Sequence, residues 1–283
     1  MQNRTLLAAL ALVPGLVLAL PARADLSGAM AAYVRADYAS AQRQLLELAQ
    51  QGESAAQLYL GRLYQEGRGV GQDYAEAARW YGLASAGGNL PARYSLGSLY
   101  FQGRGVARNH TEALALIRSA AEQGLLQAQF ELGSMYASGQ GAVRDFREAV
   151  RWTRMAAERG DAQAQFNLGV FYRNGQGVAQ SYQEALYWYR RAADQGELGA
   201  IYNLGWMYAG ALGVRQDRVR AYALFSVVAE RDEARQSARD ALAPRLTLQE
   251  LHSAQQLAAR LNGAGTISKL LEQPAVSGSG AAR

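Results

Sequence analysis

The stretch AQFNLGVFYRNGQGV (residues 164–178), followed by SYQEALYWYRRAADQG (residues 181–196), decides the fold. Its landmarks return at a step of 36 residues. Gly169 has counterparts at Gly61, Gly97, Gly133 and Gly205, and Leu168 at Leu60, Leu96, Leu132 and Leu204. Ala164 and Tyr172 recur in the same register, as do Gly177 and Ala185 further on. Five units fill residues 53–232. Half a unit precedes them, since Asp37, Tyr38, Ala41 and Gly52 stand 36 positions before Asp73, Tyr74, Ala77 and Gly88. A period of this length marks one supersecondary unit stacked on copies of itself.

Each unit reads as two helices. In the first, Ala56, Leu60, Leu63 and Tyr64 fall on one apolar helical face. The Gly61 column lies inside that helix, where glycine costs about 1 kcal/mol against alanine. Its fivefold return predicts a neighbouring helix so close that a Cβ would clash. Gly67-Arg68-Gly69 and its equivalents then break the helix and turn the chain. The second helix starts at Asp73-x-x-Glu76, Asn109-x-x-Glu112, Asp145-x-x-Glu148 and Ser181-x-x-Glu184. In each, the first residue caps the helix and the Glu is predicted to reach back to it. Gly88, Gly124, Gly160 and Gly196 close it. One such hairpin cannot bury its two apolar faces alone, and stacked neighbours can.

The residues quoted above closely resemble Sel1-like repeats, relatives of the tetratricopeptide family. The resemblance implies an all-α fold, a right-handed α/α superhelical solenoid of 36-residue helix–turn–helix repeats, with the first helices lining a concave groove that binds other proteins. It implies no reaction. Bacterial members act as exported adaptors, regulators or inhibitors. Some cysteine-rich members are described as binding β-lactams or cell-wall material. This chain has no cysteine at all.

Outside the array, residues 1–24 read as a cleaved secretory signal. Arg4 precedes a 15-residue uncharged run, Leu6–Leu20, and Ala22-Arg23-Ala24 forms the cleavage site. The expected location is the periplasm, or beyond the cell, with no integral membrane segment after cleavage. Residues 25–52 form an N-terminal partial repeat whose first helix is expected to be partial or frayed. Residues 233–262 are read as capping helices, with Thr247-x-x-Glu250 as a capping box and Leu251, Ala254, Leu257, Ala258 and Leu261 on one face. Residues 263–283, rich in Gly, Ser and Ala, are read as a flexible tail.

Composition narrows the chemistry. With no cysteine and only His110 and His252, no metal, cofactor or catalytic residue is predicted. The repeated G-x-G follows a helix and has no lysine after it, unlike a phosphate loop. The net charge of +5, or +3 without the signal, is too small and dispersed to point to nucleic acid. His110 sits where other units carry Tyr74, Phe146 and Tyr182, so a packing role is expected. The Tyr64 and Trp80 columns are read as packing, and Arg147, Arg151 and Arg154 as a solvated outer face.

Recognition is therefore assigned to columns that vary from unit to unit. On the first helices these start at Tyr59, Arg62 and Glu66. The predicted partner-binding residues are Tyr59, Arg62, Glu66, Ser98, Glu131, Asn167, Asn203 and Trp206. Tyr59 and Arg62 at one end and Trp206 at the other are the anchor candidates, being residue types enriched in binding hot spots. The function this implies is a non-enzymatic scaffold for a protein partner, either a regulator or adaptor of an envelope complex or an immunity protein. The competing readings are a cell-wall- or β-lactam-binding protein and a polysaccharide-export accessory protein.

Overall fold

A computed structural model describes residues 25–263 and 266–272. The predicted signal sequence and the end of the predicted tail lie outside the described residues. The described residues form helices and turns, without a strand. A partial hairpin, α1 (Leu26–Val34) and α2 (Tyr38–Gln50), leads into five full ones. These are α3 (Ser54–Glu66) with α4 (Tyr74–Ala86), α5 (Leu90–Gln102) with α6 (His110–Glu122), α7 (Leu126–Ser138) with α8 (Phe146–Glu158), α9 (Ala162–Asn174) with α10 (Tyr182–Ala193), and α11 (Leu198–Ala209) with α12 (Arg218–Ala229). Three further helices follow: α13 (Gln236–Leu242), α14 (Leu248–Asn262) and α15 (Ile267–Glu272). The helices of the array pack mainly on their neighbours in sequence, giving an all-α solenoid, while α14 packs back on α12 and α15 on α10. No helix among the described residues is long and apolar enough to cross a membrane.

The recurring mid-helix glycine has the predicted cause. A Cβ on Gly61 would stand 2.6 Å from the ring of Tyr81, on Gly169 2.6 Å from Tyr189, and on Gly205 2.5 Å from Phe225. In the other two units the intruders are Ile117 and Thr153. Each comes from the second helix of the same unit. Tyr81, Tyr189 and Phe225 are the bulkiest fully buried side chains of the fold. The turn glycines have a different reason. Gly67, Gly103, Gly139 and Gly175 end the first helices in the left-handed conformation, with φ between 68° and 76°.

The second helices are capped as the sequence predicts at their first residue. Asp73 accepts from the backbone of Ala75 and Glu76, and Asp145 from that of Arg147 and Glu148. The return half differs from expectation. Glu76 and Glu148 turn forward to Arg79 and Arg151, each at 2.8 Å, because an i,i+3 guanidinium outcompetes the backbone N–H for the carboxylate. The capping box closes in both directions at Thr247 and Glu250.

Side-chain hydrogen bonds in the same 36-residue rhythm tie successive helices together. Gln57, Gln129 and Gln165 are buried and donate to the C-terminal carbonyls of Ala49, Ala121 and Ala157. Helix-end acceptors are thereby satisfied inside the core. Arg118, Arg154 and Arg190 donate to the hydroxyls of Tyr136, Tyr172 and Tyr208 one hairpin further on. Tyr136, Tyr172 and Tyr208 of the Tyr64 column are thus pinned by their hydroxyls. Arg79 and Arg151 lie 4.1 and 4.2 Å above Trp80 and Trp152, so part of the outer basic face is a lid over buried indoles.

Two expectations at the ends change. α1 is partial but capped and packed, since Asp25 accepts from Gly28 and Ala29 and Ala32 are buried. The residues read as the start of a flexible tail include α15, which docks on α10. Ile267 and Leu271 are buried, and Ser268 donates to Asp194 through its backbone N–H at 2.8 Å and its hydroxyl at 2.5 Å. Ile267, Leu270 and Leu271 supply an i, i+3, i+4 apolar face within an otherwise small and polar run.

Two substitutions separate the two reasons for a helical glycine. Gly169→Ala gains helix propensity but drives a methyl into Tyr189, and should cost about 1–2 kcal/mol net. Gly82, within α4, has nothing within 4 Å of a built Cβ and stands in the column of Arg118, Arg154 and Arg190. Gly82→Arg should stabilise by about 1–1.5 kcal/mol, through propensity and a new bond to the Tyr100 hydroxyl. Urea unfolding midpoints of the two variants measure both, and they should move in opposite directions.

Candidate functional site

The predicted recognition column runs along the first helices, and the structure gives it two unlike ends. At the N-terminal end, Tyr59 is half-buried. Tyr33 packs edge-on against it at 5.2 Å, and the Arg62 guanidinium lies 5.2 Å from its ring centroid. Tyr59 and Arg62 therefore pack together as one unit. Glu66 lies beside them but is engaged by Arg68 at 3.0 Å. Burial, reinforced by Glu66, raises the Tyr33 hydroxyl above its ordinary range. Tyr33 was not among the predicted residues, because α1 lacks the repeat's landmarks.

The middle of the column is polar. Ser98 accepts from Gln102 at 2.9 Å, Asn167 from Gln163 at 3.3 Å, and Asn203 from Arg173 of the preceding unit at 2.9 Å. Those three are partly committed to the chain itself. Glu131 differs. It is half-buried, makes no hydrogen bond or ion pair among the described residues, and desolvation raises its carboxyl above the usual range. The same charge helps to raise the nearby Tyr94 hydroxyl.

The wedge tyrosines reach towards this polar row. Tyr81 crosses the gap at Gly61 and donates to Gln65 at 2.7 Å. Tyr189 makes the same crossing at Gly169 but meets Arg173, which stands where Gln65 stands and offers no acceptor. Its hydroxyl is buried without a hydrogen-bond partner, and burial pushes it up to about 12.

At the C-terminal end Trp206 packs against Phe225 and Tyr202, with ring centroids 5.4 and 6.2 Å apart, yet it is 47% exposed. The other three tryptophans are 3–7% exposed. Beside Trp206 opens a notch of about 250 Å3, with Phe225, Ala238 and Leu242 in its wall and Arg218 and Arg245 at its rim. Its far side comes from α13, outside the repeats, so the 36-residue rhythm carries no signal for it. His110 is exposed and touches Phe101 edge-on at 4.9 Å, a shallower seat than its column predicts. Among the described residues no group of three or more acidic, His or Cys side chains could hold a metal ion.

Comparison with known proteins agrees with this architecture. The Sel1 repeat family model matches residues 54–89, 90–125, 126–161, 162–197 and 199–232. No curated protein matches the chain. Among solved structures, a Sel1 repeat protein from Oxalobacter formigenes is 32% identical over 73% of this chain and 85% of that one, with a TM-score of 0.69. The c5321 protein, a protective antigen of uropathogenic Escherichia coli strains with an SLR fold, is also 32% identical and has a TM-score of 0.75. That match covers 87% of this chain and 54% of the antigen, so the chain spans about half of that protein's length. With matched repeats over more than half of its residues and the glycine wedge present in each, the chain belongs to the Sel1 repeat family.

Proposed function

We propose that this chain is a non-enzymatic scaffold of the periplasm that seats a protein partner along its row of first helices. The observation that carries this reading is Trp206. A chain that buries its other tryptophans almost completely leaves this one half in solvent, over an apolar notch with basic edges. Large apolar side chains exposed beside a preformed pocket are the usual centre of a protein interface. Tyr59 and Arg62 supply a second anchor at the opposite end of the same helical row. Between them Glu131 stands half-buried and unpaired, a carboxylate whose desolvation is repaid when a partner brings a cationic group. The reading covers a regulator, an adaptor and an immunity protein alike, because all three use one rigid surface. The periplasmic placement rests on the form of residues 1–24.

Affinity capture from an envelope extract, quantified by mass spectrometry, tests the surface. Trp206→Ala should reduce the captured partner at least about tenfold, as expected for an anchor worth about 2 kcal/mol or more. Its helical circular dichroism should stay that of the parent. Undiminished capture by a Tyr59→Ala, Arg62→Ala, Trp206→Ala triple variant would show that another face binds.

Glu131→Gln makes the opposite trade. The folded chain holds the Glu131 proton to a higher pH than the unfolded chain does. Stability is therefore lost as pH rises from the unfolded carboxyl value through the raised folded one. Above that window Glu131→Gln should melt at a higher temperature than the parent, while capturing less partner. A thermal melt series across pH, paired with the capture assay, reads both signs.

A further inference from the structure

The loops joining first to second helices carry a second constellation, away from the Trp206 notch. In units two and three these loops and the helix ends beside them enclose a cleft of about 740 Å3, lined by Phe101, Gln102, Arg104, Arg108, His110 and Gln140 together with the backbone of Gly139 and Gly141. No acidic residue lines it. We propose that this cleft binds an oxyanion, a phosphate or carboxylate group of a ligand, between Arg104, Arg108 and His110.

Three departures from the repeat create it. First, the loop of unit three stands off. A Cβ on Gly69, Gly105, Gly177 or Gly213 would strike the first residue of the second helix in the preceding unit, at Tyr38, Tyr74, Phe146 and Tyr182. The equivalent residue for Gly141 is His110, yet the nearest atoms to Gly141 belong to Met135 and Phe101. The contact that closes the other loops is missing, and the cleft occupies its place.

Second, Arg104 has lost its internal counter-charge. Its equivalent Arg68 pairs with Glu66 at 3.0 Å. Where Glu66 would fall in unit two, the chain has Gln102. Arg104 lies 5.4 Å from the Tyr74 ring centroid and is in no ion pair among the described residues.

Third, Arg108 replaces a glutamine that is fully used elsewhere. Gln72 donates to the carbonyl of Gln65 at 2.9 Å and to the Tyr74 hydroxyl at 3.2 Å, and Gln180 and Gln216 make the same carbonyl bond at 2.8 and 2.9 Å. In place of a bond to the equivalent carbonyl, that of Phe101, Arg108 makes a 3.5 Å contact to the carbonyl of Gln102. With His110 standing for tyrosine, the hydroxyl partner is gone as well. Two guanidinium groups and an imidazole therefore line one cleft with no carboxylate among its walls, beside the positive end of the 13-residue helix α6. The acids nearest in sequence are Glu112, outside the lining, and Asp145, which caps α8.

Sibling units supply variants that keep the loop's own chemistry. Arg104→Gln reproduces Gln176, Arg108→Gln reproduces Gln72 and Gln180, and His110→Tyr reproduces Tyr74 and Tyr182. Gln102→Glu restores the acid that neutralises Arg68. Isothermal titration of the whole chain with inorganic pyrophosphate and with citrate, at matched ionic strength, tests the site. The proposal expects saturable binding of at least one, the tighter probe telling phosphate from carboxylate chemistry. Arg104→Gln and Arg108→Gln should each weaken it about tenfold, the loss expected for one charged hydrogen bond. Gln102→Glu should weaken it with both guanidinium groups intact, and Arg147→Gln, outside the cleft, should leave it unchanged. Absence of saturable binding, equal binding in the double Arg variant, or equal loss in Arg147→Gln would each overturn the proposal.

Discussion

One steric fit holds each repeat together: a bulky side chain of the second helix lies against the bare backbone of a glycine in the first. The fit sets how closely the two helices pack, and the close packing brings their remaining side chains into reach. Tyr81 reaches Gln65 only because Gly61 has no Cβ in its path. The glycine sacrifices helix propensity, and the aromatic ring that replaces a methyl buries far more apolar surface than the propensity is worth. Because the wedge is rebuilt in every unit, with Ile117 and Thr153 as smaller versions, cohesion is local and passes from neighbour to neighbour.

Chemistry enters where a column breaks. The Gln72 column commits its amides to carbonyls, and the two arginines that interrupt it, Arg108 and Arg144, do not reproduce that bond. The Tyr81 position gives a satisfied hydroxyl beside Gln65 and an unsatisfied one beside Arg173. The Trp column is covered by its own second-helix arginines, while Trp206, in a first-helix column of Arg, Ser and Val, is left in the open. Regular positions are spent on stacking, and irregular ones are free to meet something else.

This division also explains what the residues alone made legible. The hairpins, their caps and the reason for Gly61 follow from periodicity, since repetition averages away the ambiguity of any single helix. Tyr59, Arg62 and Trp206 stand out in the sequence as interruptions of that rhythm. The forward turn of Glu76 and Glu148 was missed because a donor three residues before the carboxylate and one three residues after it look alike in sequence. The docking of α15 on Asp194 was missed because a six-residue helix has too little period to register. The Trp206 notch was missed because its far wall, Ala238, Ala241 and Leu242, comes from the unrepeated α13.

A scaffold built this way can carry more than one binding surface without conflict. The notch at Trp206 and the cleft at Arg104 share no lining residue. They lie on different hairpins, separated by the buried Gln165 bond and the wedge at Gly169. Substitutions at sites with no shared partners add nearly independently, and a solenoid transmits strain only through successive interfaces. An anion held in the loop cleft would therefore change the charge a partner meets without deforming the first-helix row. Coupling between the two sites, if both are occupied at once, would have to run through the ligands themselves: a partner long enough to touch both would carry an acidic segment about as far from its apolar anchor as the two hairpins are apart.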